Sequence, residues 1–183
     1  MRNITFLAIT AWTLCLIACN QTSQNNKTTD VPGNWKALNE TDYSIQYPDS
    51  FELDKSGQMG LSFILLSRQT SDQDLFRENI NLLVQNLGGH NVNLDKYVEI
   101  SIDQLNTVIT DGKLLDSRRL KGDGSEYHQV VFSGKQGQFD LKWQQLYWIR
   151  NNKAYVLTLT CEASQYDNYV DIGKKVLNTF RIK

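Results

Sequence analysis

Residues that ligate metals or act as nucleophiles are scarce in this chain of 183 residues, which has two histidines and three cysteines. His90 and His128 stand far apart in the sequence, and neither has a second ligand at the close spacing of a metal-binding motif. No glycine-rich loop joins a strand to a helix in the manner of a phosphate-binding site. The sequence therefore predicts a protein without catalytic residues, cofactor or metal ion.

Three residues could take part in catalysis or metal binding, but each also has an interpretation without such a role. His90 follows two glycines, which predicts a solvated loop position, and His128 is expected on the surface of a strand. Cys161 continues an alternation that begins at Tyr155, so it is expected to be a small buried side chain rather than a nucleophile. A hydrolase built around Cys161 or a histidine stays open as a third hypothesis of function.

Neither sign of charge dominates the composition. The chain has 19 basic and 20 acidic residues, which gives a formal net charge of −1 at pH 7. A nucleic-acid-binding domain is expected to carry a basic excess or a basic stripe. Nucleic acid is therefore not an expected partner.

The N-terminus has the form of a secretory signal. Arg2 precedes an apolar segment from Ile4 to Ala18, whose 15 residues would reach ~22 Å as a helix, against a hydrocarbon core ~30 Å thick. The segment is too short to span a membrane comfortably, and a charged start before a short apolar run is typical of a signal peptide.

The apolar segment ends in Leu16-Ile17-Ala18-Cys19, which resembles the lipobox of bacterial lipoproteins. The resemblance implies that a diacylglycerol is attached to the Cys19 sulfur, that the chain is cut before Cys19, and that the new amino group is usually acylated. We therefore expect a signal peptide at residues 1–18 and a cell-envelope protein attached to a membrane by its lipid. Asn20, where an aspartate is associated with inner-membrane retention, favours the outer membrane facing the periplasm if the envelope is Gram-negative. An unmodified Cys19 after an ordinary secretion signal and an apolar N-terminus that arose by chance are the alternatives.

A polar segment follows the cysteine. Residues 20–34 are rich in Asn, Gln, Ser, Thr and Asp, with Val31 as their one large apolar residue. Such a segment cannot bury enough apolar surface to offset the entropy cost of ordering it. We expect residues 19–34 to be the lipidated cysteine and a disordered tether, and residues 35–183 to fold as a single globular domain.

Alternation of apolar and polar side chains predicts strands in the first half of that domain. Residues 35–38 and 43–47 are expected to form a hairpin, whose second strand ends at Pro48 because proline has no amide hydrogen to donate. Further strands are expected at residues 51–53, 61–66 and 77–87.

Two amphipathic helices are also predicted. Asn93 is a favourable N-cap for the first helix, which is expected to end at Asp111-Gly112, where glycine is free to adopt positive φ. Packing of its apolar stripe against the sheet is favoured over a partner-binding groove. Ser164 and Asp167 have the spacing of a capping box and predict the start of the second helix.

The longest strand region covers the segment between the two helices. Strands are predicted at residues 114–120, 126–132, 139–149 and 155–161. The turns between them are much shorter than the dozen or so residues of a parallel crossover, so neighbouring strands must be antiparallel. The predicted fold class is α+β, a twisted and mainly antiparallel sheet with helices packed on its faces. The aromatic side chains of this meander either line a ligand cleft or belong to the core.

Several segments together resemble the PsbP-like superfamily, with the bacterial DcrB-type proteins as the most similar members. These segments are Tyr43-Ser44-Ile45-Gln46-Tyr47-Pro48, Asn79-Ile80-Asn81-Leu82-Leu83-Val84, the first helix, the meander ending in Tyr155-Val156-Leu157-Thr158-Leu159-Thr160, and the closing helix with Thr179-Phe180. The resemblance covers residues 35–183 and implies an α/β/α sandwich around an antiparallel sheet. Members include a photosystem II extrinsic subunit, envelope lipoproteins, secretion-effector chaperones and a nuclear-import factor, which bind partners and are generally not enzymes.

The resemblance thus implies a non-catalytic envelope lipoprotein whose domain binds another envelope protein or assists assembly of a complex. It supplies no metal-binding or partner-binding residue that can be matched to a position in this chain. The alternative is a lipoprotein that carries a small ligand or a metal ion on the aromatic side chains of the meander.

Overall fold

The computed structural model describes residues 34–122 and 125–183. The predicted signal peptide, Cys19 and the predicted tether up to residue 33 lie outside the described residues. In chain order the elements are β1 (Trp35–Asn39), β2 (Tyr43–Pro48), β3 (Phe51–Asp54), a 3-10 turn (Gln58–Gly60), β4 (Leu61–Ser67), β5 (Asn79–Asn86), α1 (Leu94–Val108), β6 (Thr110–Gly122), β7 (Ser125–Gln136), β8 (Phe139–Arg150), β9 (Lys153–Glu162), α2 (Tyr166–Leu177) and β10 (Arg181–Ile182).

The main sheet has the strand order β3-β4-β5-β9-β8-β7-β6 among the described residues, and every pairing in it is antiparallel. Its last four strands are the predicted meander, which is confirmed. The turn from β8 to β9 has only two residues, Asn151 and Asn152, with φ of 52° and 55°. Positive φ at both central positions matches the twist of adjacent antiparallel strands, which explains why two asparagines suffice there.

A small second sheet has the strand order β1-β2-β10. The predicted hairpin of β1 and β2 is confirmed, with Leu38 opposite Ile45 in the register. The third strand, β10, pairs with the edge of β2 opposite to β1, and Arg181 is the register partner of Ser44. The sequence did not predict this strand, because two residues are too few to show an alternating pattern.

Helix α1 covers one face of the main sheet. Its side chains Leu94, Tyr97 and Val98 are buried and pack with Val130 of β7 and Tyr147 of β8. The side chain of Asn93 accepts a hydrogen bond from the Lys96 backbone N–H (2.9 Å), so the predicted N-cap is confirmed.

The opposite face of the main sheet is covered by α2 and the small sheet. Val176 and Leu177 of α2, Ile45 of β2, and Leu157 and Leu159 of β9 belong to one buried apolar cluster. With α1 on one face and α2 on the other, the predicted α+β class is confirmed.

The predicted end of the first helix was wrong. Helix α1 stops at Val108, and Ile109 is already extended with φ −98° and ψ 121°. Asp111, not Gly112, adopts the positive φ, at 54°. Gly112 is required for a different reason, since a Cβ there would lie 2.8 Å from Cζ of Phe132. Burial of the Ile109 side chain beside Phe132 therefore outweighs continuation of the helix.

The predicted start of the second helix was also wrong. Helix α2 begins at Tyr166 after Gln165, and no side chain caps it. The backbone N–H of Gln165 donates instead to the Glu162 carbonyl oxygen (2.9 Å), which places Ser164 inside a tight turn. The spacing of Ser164 and Asp167 fits a capping box, but the turn that leaves β9 uses those positions differently.

Candidate functional site

The three candidates from the sequence lie on different parts of the domain. His90 is exposed in the loop after β5, as predicted. His128 was expected on the surface of a strand, but it is partly buried in β7, on the face that α1 covers and on the same side of the strand as Val130. Cys161 lies in β9 on the opposite face, within the cluster that includes Leu159. The structure therefore does not combine them into one site.

Cys161 is fully buried, as its alternation with Tyr155 predicted. Burial raises the pKa of its thiol to about 12, and the nearby Glu78 carboxylate acts in the same direction. A thiolate is the reactive form of cysteine, so both effects oppose nucleophilic chemistry at this position. Glu78 is itself only 3% exposed, and burial raises the pKa of its carboxyl group as well.

The pairing of β6 with β7 brings Ser117 within 2.8 Å of Nε2 of His128, a contact that the sequence analysis missed. A serine beside a histidine is the core of many hydrolase sites, in which a carboxylate orients the other ring nitrogen. Nδ1 of His128 is buried and has no hydrogen-bond partner among the described residues. Burial, and then the charge of Arg119, lower the pKa of His128. The pair thus has no orienting carboxylate on Nδ1 in this structure.

Neither a metal-binding cluster nor a membrane-spanning helix occurs among the described residues. In residues 34–122 and 125–183, no group of three or more His, Cys, Asp and Glu side chains is arranged to hold a metal ion. None of the helices described is both long enough and apolar enough to cross a membrane.

One surface with an unusual exposure is the outer edge of β6, which we call the β6 edge. None of the 13 residues of this strand is buried, and its far side pairs with no strand of the described residues. Leu114 is 46% exposed and Leu115 is 51% exposed. Long edge strands offer unpaired backbone groups and are usually protected by charges or bulges.

The two halves of β6 differ in the side chains that they expose to solvent. Three basic residues of the second half form ion pairs. Arg118 pairs with Asp116, and Lys121 pairs with Glu126. Arg119 pairs with both Asp95 and Glu126. In the first half the register shifts between Leu114 and Asp116, so that Leu115 is the extra residue of a bulge. The first half also contains an ion pair, between Asp111 and Lys135, and it exposes two leucines, Leu114 and Leu115, to solvent.

The second surface is a cleft of about 310 Å³ between the main sheet and the C-terminal segment. Strands β6, β7 and β8 contribute one side, through residues that include Tyr127, Leu146 and Trp148. The end of α2 and β10 contribute the other side, through residues that include Phe180 and Arg181. We call this the aromatic cleft.

Aromatic rings in contact with one another line much of the aromatic cleft. The rings of Tyr127 and Trp148 stack across β7 and β8, with centroids 5.3 Å apart and an angle of 25°. Phe180 packs on Trp148 at 5.3 Å and on Tyr155 at 6.4 Å. Tyr127 and Trp148 are only partly buried, so part of each ring faces the cleft.

Basic side chains stand in the same cleft. Arg150, at the end of β8, is exposed and forms no ion pair with another described residue. Arg181 donates from Nη1 to the carbonyl oxygens of Asn178 (2.6 Å) and Phe180 (2.9 Å), which fixes its side chain against the end of α2. The described lining residues include no carboxylate.

Comparison with known proteins identifies the fold but no sequence family. Neither a protein-family model nor a curated protein sequence matches the chain. The cyanobacterial PsbP protein (CyanoP) of Synechocystis sp. PCC 6803 is similar in structure, with a TM-score of 0.62 at 12% identity, over 87% of this chain and 98% of that chain.

Two further solved structures are similar. PA94 of Pseudomonas aeruginosa, a protein of unknown function, has a TM-score of 0.57 at 12% identity, over 80% of this chain and 96% of its own. LpqN of Mycobacterium tuberculosis, which is involved in cell envelope biogenesis, has a TM-score of 0.58 at 11% identity, over 82% of this chain and 92% of its own. At sequence identities this low, structural similarity shows a common fold and does not show a common function. The chain therefore has an α+β fold of the PsbP-like type.

Proposed function

We propose that this chain is a non-catalytic, DcrB-like lipoprotein of the bacterial cell envelope, whose domain binds another envelope protein or assists its assembly. Cys19, in its lipobox-like setting, would carry the lipid that attaches the chain to the membrane. The likeness in fold to LpqN, a protein involved in cell envelope biogenesis, supports an envelope setting.

The β6 edge is the observation that carries the binding role. A partner segment in extended conformation can add to an exposed sheet edge, where main-chain hydrogen bonds provide affinity and alternate side chains provide specificity. The first half of β6 offers such an edge together with two exposed leucines, Leu114 and Leu115. The ion pairs around Arg119 place charged side chains along the second half, so we expect a partner strand to pair at the leucines of the first half.

The chemically active residues support a binding role more than a catalytic one. Burial raises the pKa of the Cys161 thiol, and Nδ1 of His128 has no partner in the part of the chain that the structure describes. A nucleophile needs a base or a lowered pKa to act at neutral pH. Cys161 lacks a lowered pKa, and the Ser117–His128 pair lacks a carboxylate that would orient the imidazole through Nδ1.

Site-specific photocrosslinking in intact cells tests the proposal. A photoreactive amino acid at Leu115 should give a discrete crosslinked product with one protein, identified by mass spectrometry. The matched control is Met59, which is 36% exposed and lies beside β4, at the opposite side of the sheet from β6. Equal, diffuse crosslinking from both positions would contradict a specific partner at the β6 edge.

A second candidate function is a carrier of a small ligand, which the sequence left open. The aromatic cleft favours it, because ligand sites are concave and mostly apolar with a few polar groups that fix orientation. Its volume of about 310 Å³ suits a small molecule rather than a lipid chain or a folded partner.

A further inference from the structure

We propose that the aromatic cleft binds a small planar anion, specifically an aromatic carboxylate. The proposal goes beyond the protein-binding function and gives a ligand class to the carrier alternative. It rests on three properties of the cleft, which are its aromatic lining, its exposed arginine and its size.

The aromatic lining comes from the register of the meander. His128 is opposite Tyr147, so the next pair along β7 and β8 is Tyr127 with Trp148, and Trp148 is in turn opposite Tyr155. One row of aromatic side chains therefore crosses three strands on a single face. Phe180 covers the part of this row on β8 and β9, at Trp148 and Tyr155, which leaves the Tyr127 end open to the cleft.

Gly122 lines that open end. A Cβ at this position would lie 3.3 Å from Cε1 of Tyr127, so glycine lets the tyrosine ring pack closely against β6. An aromatic ring that enters the cleft can then pack against the partly exposed rings of Tyr127 and Trp148 in an edge-to-face arrangement.

The charge of the ligand follows from Arg150. Its guanidinium is always protonated at physiological pH and presents a planar fork of donors that matches a carboxylate. It lines the cleft, and it has no ion-pair partner in residues 34–122 and 125–183. A carboxylate on a ligand in the cleft can therefore accept charge-assisted hydrogen bonds from Arg150.

The size of the cleft limits the ligand to about one or two rings. Small-molecule sites commonly measure ~300–1,000 Å³, and this cleft is at the lower end with about 310 Å³. The hydroxyl groups of Ser125 and Tyr127 and the amide of Asn178 are the further polar groups in its lining. They provide donors for a carboxylate or for a ring substituent.

NMR titration of the isotope-labelled intact chain tests the inference, with 2-naphthoate as the probe and its neutral analogue 2-naphthamide as the control ligand. The indole N–H signals of Trp148 and Trp143 are the readouts. Trp148 lines the cleft, whereas Trp143 packs with Phe132 on the opposite face of the sheet. We expect 2-naphthoate to shift the Trp148 signal saturably, with a Kd of about 1 mM or tighter, and to leave Trp143 unchanged.

Two comparisons decide between a carboxylate site and a general apolar site. The neutral amide should bind about tenfold more weakly than the acid. Arg150→Gln should weaken binding of the acid by about fivefold, and Arg68→Gln, which makes the same charge change outside the cleft, by less than about twofold. Arg150 is exposed, so its replacement is not expected to unfold the domain.

Any of three results would overturn the inference: no saturable shift of Trp148, equal binding of acid and amide, or equal effects of the Arg150 and Arg68 substitutions. The naphthoate titration tests the cleft separately from the protein-binding proposal. Arg150→Gln should leave crosslinking from Leu115 unchanged, because Arg150 lies outside the β6 edge. Loss of that crosslinking together with loss of naphthoate binding would show that the two surfaces are one site and would contradict a separate cleft.

Discussion

Gly173 of α2 lies so close to Leu159 of β9 that a Cβ at position 173 would come within 2.6 Å of Leu159 Cδ2 and 3.1 Å of Cδ1. Leu159 is fully buried, so its side chain has no open space into which it can turn. The missing side chain at position 173 therefore sets the distance between α2 and the main sheet.

Replacing Gly173 by alanine is expected to destabilise the domain. Alanine improves helix propensity by about 1 kcal/mol, whereas overpacking a filled core typically costs about 1–3 kcal/mol. We expect the free energy of unfolding, measured by urea denaturation, to fall by about 1 kcal/mol. Lys174→Ala, at an exposed position in the same helix, should change it by less than about 0.5 kcal/mol.

The cause of that loss can be isolated with Leu159→Val. If the clash with Leu159 is responsible, the double variant with Gly173→Ala should be more stable than the sum of the two single effects predicts. Simple additivity would show that the contact at position 173 does not limit the approach of α2.

The Cys161 thiol is expected to be unreactive in the folded protein. It is fully buried, and burial raises its pKa to about 12, so almost no thiolate forms at pH 8. Iodoacetamide should label Cys161 only after denaturation, as followed by mass spectrometry. Cys161→Ala should cost about 1 kcal/mol through a small cavity. Fast labelling under native conditions would mean that β9 opens or that the thiol is activated.

Burial of Glu78 is expected to make the free energy of unfolding depend on pH. Burial raises the pKa of its carboxyl group above the ordinary value of 4.5, so the folded state holds the proton more tightly than the unfolded state. The free energy of unfolding contributed by this group therefore falls as the pH rises from 4.5 through the raised pKa. Glu78→Gln removes the titration, and the amide oxygen can still accept from the Ser67 hydroxyl.

The measurement is the difference in unfolding free energy between Glu78→Gln and the unsubstituted chain at pH 4 and at pH 7. We expect the difference to shift in favour of the glutamine variant at the higher pH. The exposed Glu99→Gln substitution serves as the control and should show no such trend. A shift in the opposite direction would mean that the folded state stabilises the ionised form of Glu78.

The anchor prediction concerns Cys19. Cys19→Ser removes the thiol to which a diacylglycerol would be attached, so labelling with a fatty-acid probe should be lost and the chain should be released or remain as an uncleaved precursor. Stable attachment generally needs more than one acyl chain, and two or three are expected at a lipobox cysteine. Cys15→Ser should leave labelling unchanged. Undiminished labelling of the Cys19 variant would reject the lipoprotein assignment.

Regular local patterns made much of the fold predictable from the sequence. The meander follows from alternation and short turns, and α1 begins at Asn93 because the capping chemistry is local. The ends of the helices depended on distant contacts instead: burial of Ile109 beside Phe132 ended α1 early. The pairing of Ser117 with His128 and the shape of the aromatic cleft depend on strand register and on β10, which no local pattern specifies.

Complementation of a deletion strain tests whether the domain acts by binding or by catalysis. Two kinds of variant are compared at matched abundance and matched lipid labelling. Leu115→Glu alters the β6 edge with little expected effect on stability, because the side chain is 51% exposed. Ser117→Ala with His128→Gln removes the serine–histidine pair, and Met59→Glu is the surface control.

We expect that Leu115→Glu fails to restore the envelope phenotype, whereas the serine–histidine double variant and Met59→Glu restore it. The contradicting result is the reverse, with full function in Leu115→Glu and loss of function in a folded, anchored Ser117→Ala and His128→Gln double variant.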